Sequence, residues 1–175
     1  MLDVVIALCP AAIAGIVLFG FRAALIILAS VVSAVASEAI YQRAVKKQVT
    51  INDFSAVITG LLLALTLPPN VPVWIPVIGA AFAIVVVKQL FGGLGNNFLN
   101  PALAARAFLL AAWPLHMTQD WVNPMSYDAA TSATPLAGFN ATGQTALTFK
   151  EMLLGQRLGS IGETCILALL LGGIY

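Results

Sequence analysis

Apolar residues lie along the chain in long runs, which short polar or Pro- and Gly-containing stretches separate. The first run extends from Leu2 to Phe19 and the second from Ala23 to Tyr41. Each is close to the ~20 residues that a transmembrane helix needs, so both predict membrane-spanning helices. Small residues recur at helical spacing in the second run and favour close packing against a neighbouring helix: Ser30, Ser33, Ala34 and Ser37.

The next two runs are shorter. Residues Phe54 to Leu67 stop at Pro68-Pro69-Asn70, and residues Val73 to Val87 stop at Lys88 and Gln89. The Phe54–Leu67 run is short for a spanning helix. It predicts a tilted helix, a helix in a locally thinned membrane, or a broken half-helix that is enclosed by protein or a polar cavity.

A glycine- and asparagine-rich stretch, Gly92–Asn97, precedes the fifth helix. No βαβ pattern surrounds it, so we exclude a dinucleotide-binding loop. Asn100 is the predicted N-cap, and Pro101 suits the first turn of a helix over Ala102–Trp113. This helix carries Arg106, for which snorkelling, a structural ion pair and a functional site all stay open.

The chain turns polar from Pro114 to about Lys150, which predicts a loop outside the membrane. Three aromatic residues near its start predict an interfacial belt: Trp113, Trp121 and Tyr127. A short amphipathic stretch, Met152–Arg157, follows, and a sixth apolar run begins at Gly159.

Composition supports a membrane protein. The 175 residues are 61% hydrophobic and 9% charged, whereas soluble domains have about 25% charged residues. We therefore predict an all-α fold, a polytopic transmembrane helix bundle with short or broken helices. The net charge of +1 argues against a nucleic-acid partner. One His and two Cys, both in apolar runs, offer no ligand set for a metal site.

The charge distribution predicts the topology. Arg43, Lys46 and Lys47 place the loop after the second helix, and hence the N-terminus, in the cytoplasm. Counting crossings from that loop places residues 114–150 outside the cytoplasm, and Lys150 is their only Lys or Arg. The last run after Cys165 is shorter than the ~20 residues of a span. We therefore expect residues 1–175 to be one partial membrane domain. No basic region precedes the first run and no cleavage site clearly follows it, so we expect no signal peptide.

A cluster of hydroxyl groups marks the polar loop. Pro135 biases Thr134 away from helical geometry, so its hydroxyl is expected to be accessible. For an arbitrary Ser/Thr/Pro cluster, a surface turn is the usual interpretation. The residues of this cluster are Asp128, Thr131, Ser132, Ala133, Thr134 and Pro135.

The cluster resembles the pattern Asp-x-x-Ser/Thr-Gly-Ala-Thr, onto which a dedicated flavin transferase esterifies FMN through its phosphate. The resemblance implies that Thr134 carries the covalent FMN. It also implies that Asp128, Thr131, Ser132 and Ala133 belong to the recognition pattern. Ser132 stands where glycine is usual and adds a side chain beside the modified residue.

Two further stretches, Leu61–Pro69 and Lys88–Phe108, resemble the same family. It is the RnfD/NqrB family of flavin-carrying membrane subunits, and the resemblance is closer to RnfD. It implies a helical bundle with broken helices in the plasma (inner) membrane, in contact with lipid and with the other subunits of an Rnf-type complex. It also implies electron flow between ferredoxin and NAD coupled to Na⁺ or H⁺ transport, and a second, non-covalent flavin (riboflavin) that we place on no residue.

Other functions stay open at this stage: an NqrB-like subunit of a Na⁺-translocating NADH:quinone oxidoreductase, a channel or carrier, or a membrane scaffold. The motif at Asp128–Thr134 separates the redox function from the last two, because a channel has no reason to carry it. The chain alone is expected to catalyse no complete reaction. We further hypothesise that Arg106 or the Gly92–Asn97 turn contributes to a flavin or phosphate site, since guanidinium and free backbone N–H groups suit phosphate.

Overall fold

The computed structural model describes residues 1–46, 50–93, 95–118, 149–155 and 157–175. Within these ranges the regular structure is entirely helical. The elements are α1 (Leu2–Phe19), α2 (Phe21–Ala44), a 3₁₀ turn (Ile51–Asp53), α3 (Ser55–Leu65), α4 (Trp74–Phe82), which continues as a π-helix (Ala83–Gln89), α5 (Pro101–Ala112), α6 (Pro114–Thr118), α7 (Phe149–Leu154) and α8 (Ile166–Ile174).

Helices α1 and α2 are long and apolar enough to cross a membrane, as predicted. They are joined by Gly20 alone, whose φ of 71° is a conformation that glycine adopts without steric cost. Three further helical stretches are apolar but shorter: Ser55–Leu65, Trp74–Gln89 and Pro101–Ala112. The predicted all-α membrane bundle with short helices is therefore confirmed for the part of the chain that is described.

Small residues allow α2 and α3 to pack closely. The hydroxyl of Ser30 donates to the carbonyl of Gly60 at 2.7 Å. A Cβ added to Gly60 would lie 2.8 Å from the Cα of Val31 and 3.1 Å from the Cβ of Ala34. On another side of α2, Ser33 donates to the carbonyl of Val77 in α4 at 2.8 Å. The small-residue packing predicted for this helix is confirmed.

Helix α3 is short, as predicted, and a distant segment completes its end. The N–H of Gly162 donates to the carbonyl of Leu65 at 2.8 Å, and the N–H of Ile161 donates to the carbonyl of Leu67 at 3.1 Å. Helix ends need such partners, and lipid supplies none. The sixth apolar run begins at Gly159, but its helix begins only at Ile166. The segment before this helix supplies the two donors to the end of α3.

The predicted start of the fifth helix is confirmed. Asn100 caps α5, its side-chain oxygen accepting from the N–H of Ala102 at 3.0 Å, and Pro101 occupies the first turn. The helix ends at Ala112, one residue before the predicted end.

The bundle has two ends. At the first, which we call the tryptophan end, the rings of Trp74 and Trp113 meet edge to face with centroids 5.1 Å apart. Arg22 donates to the carbonyl of Asn70 at 3.4 Å there. At the opposite end, which we call the lysine end, Lys88 contacts Glu38 and Ser55. Helices α2 and α4 therefore run from the tryptophan end to the lysine end. Helices α3 and α5 run in the opposite direction.

The residues on either side of the undescribed stretch 119–148 both lie at the tryptophan end. Helix α6 follows Trp113 directly, and the N–H of Met117 donates to the carbonyl of Trp113 at 3.3 Å. After that stretch, Gly155 lies against Leu18, near the end of α1, where an added Cβ would be 2.9 Å from the leucine Cδ1. The chain thus leaves and rejoins the described bundle at the same end.

Candidate functional site

A buried ion pair lies at the lysine end. The ammonium nitrogen of Lys88 is 2.6 Å from Oε1 of Glu38, and the two side chains are 3% and 1% exposed. The same oxygen accepts from Gln89 at 2.8 Å and from Gln42 at 3.4 Å. The other carboxylate oxygen, Oε2, is buried and has no hydrogen-bond partner among the described residues. One oxygen of this carboxylate is therefore crowded with donors and the other has none.

A chain of hydrogen bonds leads from this pair towards the start of α3. Lys88 also donates to the hydroxyl of Ser55, which is buried. The hydroxyl of Ser55 donates in turn to Oδ1 of Asp53 at 2.7 Å, and the Ser55 N–H donates to the same oxygen at 2.9 Å. Asp53 itself is only half-buried. The network thus connects a deeply buried carboxylate with a partly accessible one.

A second branch joins α2 to the residue before the 3₁₀ turn. The amide of Gln42 donates to the hydroxyl of Thr50 at 2.8 Å and accepts from its backbone N–H at 2.9 Å. This two-point contact fixes the chain between α2 and α3 beside the carboxylate.

The π-helix brings two adjacent side chains to one oxygen. The N–H of Leu90 donates to the carbonyl of Val85 at 3.2 Å, and that of Gly93 to the carbonyl of Lys88 at 3.0 Å. Both bonds span five residues, as in a π-helix. Lys88 and its neighbour Gln89 both reach Glu38 from this segment. Such π segments are frequent at functional sites.

This network was not predicted from the sequence, in which Lys88 and Gln89 mark the end of an apolar run and Glu38 lies far from both. A usable signal was present, because Glu38 and Lys88 each lie near the C-terminal end of an apolar run, on alternate helices that are expected to run in the same direction. Intramembrane charges of opposite sign at one level are expected to pair.

The five predicted residues of the threonine motif lie outside the described residues: Asp128, Thr131, Ser132, Ala133 and Thr134. Their role therefore stays a prediction. Trp121 and Tyr127 of the predicted aromatic belt lie outside them as well, whereas Trp113 takes part in the Trp74 contact.

Arg106 lies in the middle of α5. It is half-buried, on the same side of the helix as the exposed residues Leu103 and Leu110. The described part of the chain offers its guanidinium group no hydrogen bond and no ion pair. The three alternatives for this residue, snorkelling, a structural ion pair and a functional site, therefore stay open.

The Gly92–Asn97 turn lies at the lysine end, directly after the π-helix. Gly92, Gly93 and Gly95 have φ values of 102°, 94° and 90°, which side chains other than glycine's rarely tolerate. The residues that flank the threonine motif lie at the tryptophan end. The described bundle therefore does not bring this turn and those flanks together.

Comparison with known proteins identifies relatives. The sequence profile of the NQR2, RnfD, RnfE family matches residues 1–175. The chain is 53% identical to the D subunit of the Na(+)-translocating ferredoxin:NAD(+) oxidoreductase complex of Acetobacterium woodii, over 100% of the chain and 56% of that protein. It is 41% identical to the D subunit of the proton-translocating ferredoxin:NAD(+) oxidoreductase complex of Clostridium ljungdahlii, with the same two coverages.

A further relative is the B subunit of the Na(+)-translocating NADH-quinone reductase of Neisseria meningitidis, at 42% identity over 67% of the chain and 31% of that protein. The two ferredoxin:NAD(+) oxidoreductase relatives thus match over the whole chain, and the quinone reductase relative matches over two thirds of it. The chain spans little more than half the length of the two ferredoxin:NAD(+) oxidoreductase relatives.

Proposed function

Because this chain belongs to the NQR2, RnfD, RnfE family, we propose that it is the D-type membrane subunit of an Rnf ion-translocating electron-transport complex. The observation that carries this proposal is the 53% identity to a D-type relative over the full chain. In this function the protein works with the other subunits of the complex, between ferredoxin and NAD, and ion transport is coupled to the electron flow. An NqrB-like role is less well supported, because similarity to the quinone reductase relative covers only 67% of the chain.

The proposed electron carrier is FMN esterified to Thr134, with Asp128, Thr131, Ser132 and Ala133 as the recognition pattern for a flavin transferase. The residues fit the group: a threonine hydroxyl forms the phosphoester, and Arg106 is a cation without a partner in the described bundle. A bound flavin supplies one- and two-electron chemistry. The protein's part is to fix the phosphate end through Thr134 and to favour its negative charge through Arg106.

The arrangement of the two ends supports an extracytoplasmic position for Thr134. Arg43 lies in the last turn of α2 and Lys46 follows it, both at the lysine end, and such a cluster marks the cytoplasmic side. The residues that flank the stretch 119–148 lie at the other end of the bundle. In this orientation in the plasma membrane, the threonine motif faces outwards, where we expect the flavin transferase to act.

The first test is the mass of the Thr134 peptide from full-length protein that is co-expressed with a flavin transferase. We expect an added FMN mass on the wild type and on a Thr118→Ala control, and none on Thr134→Ala. In-gel flavin fluorescence should follow the same order. An unmodified wild-type peptide, with a transferase that modifies another substrate, would contradict the proposal and favour a transporter or a scaffold.

Arg106 is tested separately. Replacement by Leu should lower flavin content or electron transfer in the complex, whereas replacement by Lys should retain more of both, because the charge is kept. Unchanged flavin content and turnover in the Leu variant would remove Arg106 from the site.

The orientation is tested with single cysteines in a chain without Cys9 and Cys165. A membrane-impermeant thiol reagent added to intact cells should label a cysteine that replaces Thr118 and should not label one that replaces Lys46. The reverse pattern would place the threonine motif in the cytoplasm and contradict this part of the proposal.

A further inference from the structure

The geometry points to a proton relay at the lysine end. We propose that Glu38 is a buried, reversibly protonated residue, and that its proton exchanges with the lysine-end surface through Lys88, Ser55 and Asp53. This inference deepens the proposed function and rests on it, because ionisable residues inside a membrane protein mark ion pathways and proton relays. Its structural basis is the set of contacts within the described bundle and uses none of the threonine motif.

Between Lys88 and Asp53 the hydrogen bonds are ordered as a relay requires. Lys88 donates both to Glu38 and to the hydroxyl of Ser55, and that hydroxyl donates onwards to Asp53. From the lysine onwards, each donor therefore points towards the half-buried carboxylate. A hydroxyl that accepts one hydrogen bond and donates another can pass a proton along without moving its oxygen.

The free oxygen of Glu38 supplies the place for the proton. Its Oε1 carries the contacts to Lys88, Gln89 and Gln42. Its Oε2 is buried without a partner in the described residues. A buried, unpartnered oxygen of a charged group is costly. Protonation at Oε2 neutralises the carboxylate and breaks none of the three bonds on the other oxygen.

Few other titratable groups face Glu38. Lys88 contacts it directly, and Asp53 is connected to it through Ser55. Helices α3 and α4, which pack against α2, contain no Asp, Glu, Lys, Arg or His. Helix α1 contributes Asp3 and Cys9, which are both exposed. On α2 itself, the titratable residues that follow are Tyr41 and Arg43.

The proton transfer uses three hydrogen bonds, and protons and charge balance over them. Starting from a protonated Glu38 beside a charged Lys88, a proton passes from the ammonium group to Ser55 as the serine passes its hydroxyl proton to Asp53. The Glu38 carboxyl group, after a half-turn about its own axis, then returns a proton to the lysine amine. One proton has moved from Glu38 to Asp53, and Lys88 and Ser55 are unchanged.

A metal cation fits this site less well than a proton. The ammonium group, 2.6 Å from the carboxylate, repels a second cation. Hard cations also need several oxygen ligands. Across the described ranges, no three His, Cys, Asp or Glu residues lie close enough to hold a metal ion.

The test follows Glu38 protonation by infrared spectroscopy of the purified complex after a rapid change of pH. Glu38→Gln assigns the carbonyl stretch of the protonated carboxyl group. Ser55→Ala should slow the appearance of this band by on the order of 100-fold, the lower end of what a positioned proton-transfer group contributes. Ser55→Thr keeps the hydroxyl and should restore the rate.

The matched control is Thr59→Ala. Thr59 is a buried hydroxyl one turn further along α3, bonded to the Ser55 carbonyl at 2.9 Å and outside the relay. Its loss should leave the exchange rate unchanged. Absence of a Glu38-dependent carboxyl band, or equal rates in Ser55→Ala and Thr59→Ala, would overturn the proposal. Because the pH change needs no electron donor, this result is independent of whether Thr134 carries flavin.

Discussion

The hydroxyl of Ser30 on α2 is bonded to the carbonyl of Gly60 on α3 at 2.7 Å. At this point the two helices leave no room for a side chain on Gly60, since an added Cβ would lie 2.9 Å from the Ser30 carbonyl oxygen and closer still to Val31. The backbone of one helix is thus in direct contact with the other, which is how small residues drive helix association in lipid.

Gly60→Ala should therefore destabilise the bundle. Overpacking of this kind costs about 1–3 kcal/mol, and thermal unfolding of the purified protein in detergent measures it. Gly173→Ala in α8 is the matched control, because nothing lies within 4 Å of its added Cβ. Equal unfolding temperatures for the two variants would contradict the close packing of α2 and α3.

The contact between Gly162 and the end of α3 gives a second prediction. A Cβ at Gly162 would lie 2.7 Å from the Cβ of Leu65, so Gly162→Ala should push the segment away and break the bond to the Leu65 carbonyl. We expect faster amide hydrogen exchange at position 162 and a loss of about 1–3 kcal/mol of stability. Ile161→Val keeps the backbone donors and should leave the exchange nearly unchanged. If the amide at position 162 still exchanges slowly in the Gly162→Ala variant, the contact with the end of α3 tolerates a side chain and the prediction is wrong.

The buried ion pair gives a third prediction, about stability. Lys88→Met leaves the Glu38 carboxylate uncompensated, and breaking a buried pair in this way costs about 3–5 kcal/mol. The double variant Glu38→Gln/Lys88→Met should recover most of that loss, because the introduced amide oxygen still accepts from Gln89 and the side chain carries no charge. Unfolding of the single and double variants in the same detergent tests this. A double variant as unstable as Lys88→Met would argue against an uncompensated charge as the cause.

The cap of α5 gives a fourth prediction. Asn100→Ala removes the acceptor for the N–H of Ala102 and should lower stability by about 1 kcal/mol, the usual cost of losing an N-cap. Asn100→Ser keeps a capping oxygen and should stay close to the wild type. The comparison of the two variants in thermal unfolding is the measurement, and equal losses would assign the effect to something other than capping.

Features that depend on neighbouring residues in the sequence could be predicted. The N-cap at Asn100, the small-residue face of α2 and the short third helix all follow from local patterns, and the structure confirms them. Apolar runs indicate where a helix starts and ends, but they carry little information on which side of it faces a given neighbour.

For that reason the pairing of Glu38 with Lys88, and the use of Ile161 and Gly162 to complete α3, could not be derived from the runs. Both depend on residues far apart in the chain that only the packed bundle brings together. The π-helix that ends at Gln89 was missed for a different reason: its sequence is as apolar as that of an α-helix. The threonine motif stays a prediction from the sequence, because it lies outside the described residues.

The completion of α3 by a later segment has a consequence for biogenesis. A ribosome delivers α3 to the membrane well before it has made Ile161 and Gly162, so the carbonyl groups of Leu65 and Leu67 arrive without their donors. In the hydrocarbon core each such group costs several kcal/mol. Helix α3 alone therefore leaves these two carbonyl groups unsatisfied, and we expect its stable insertion to follow the synthesis of the segment that completes it.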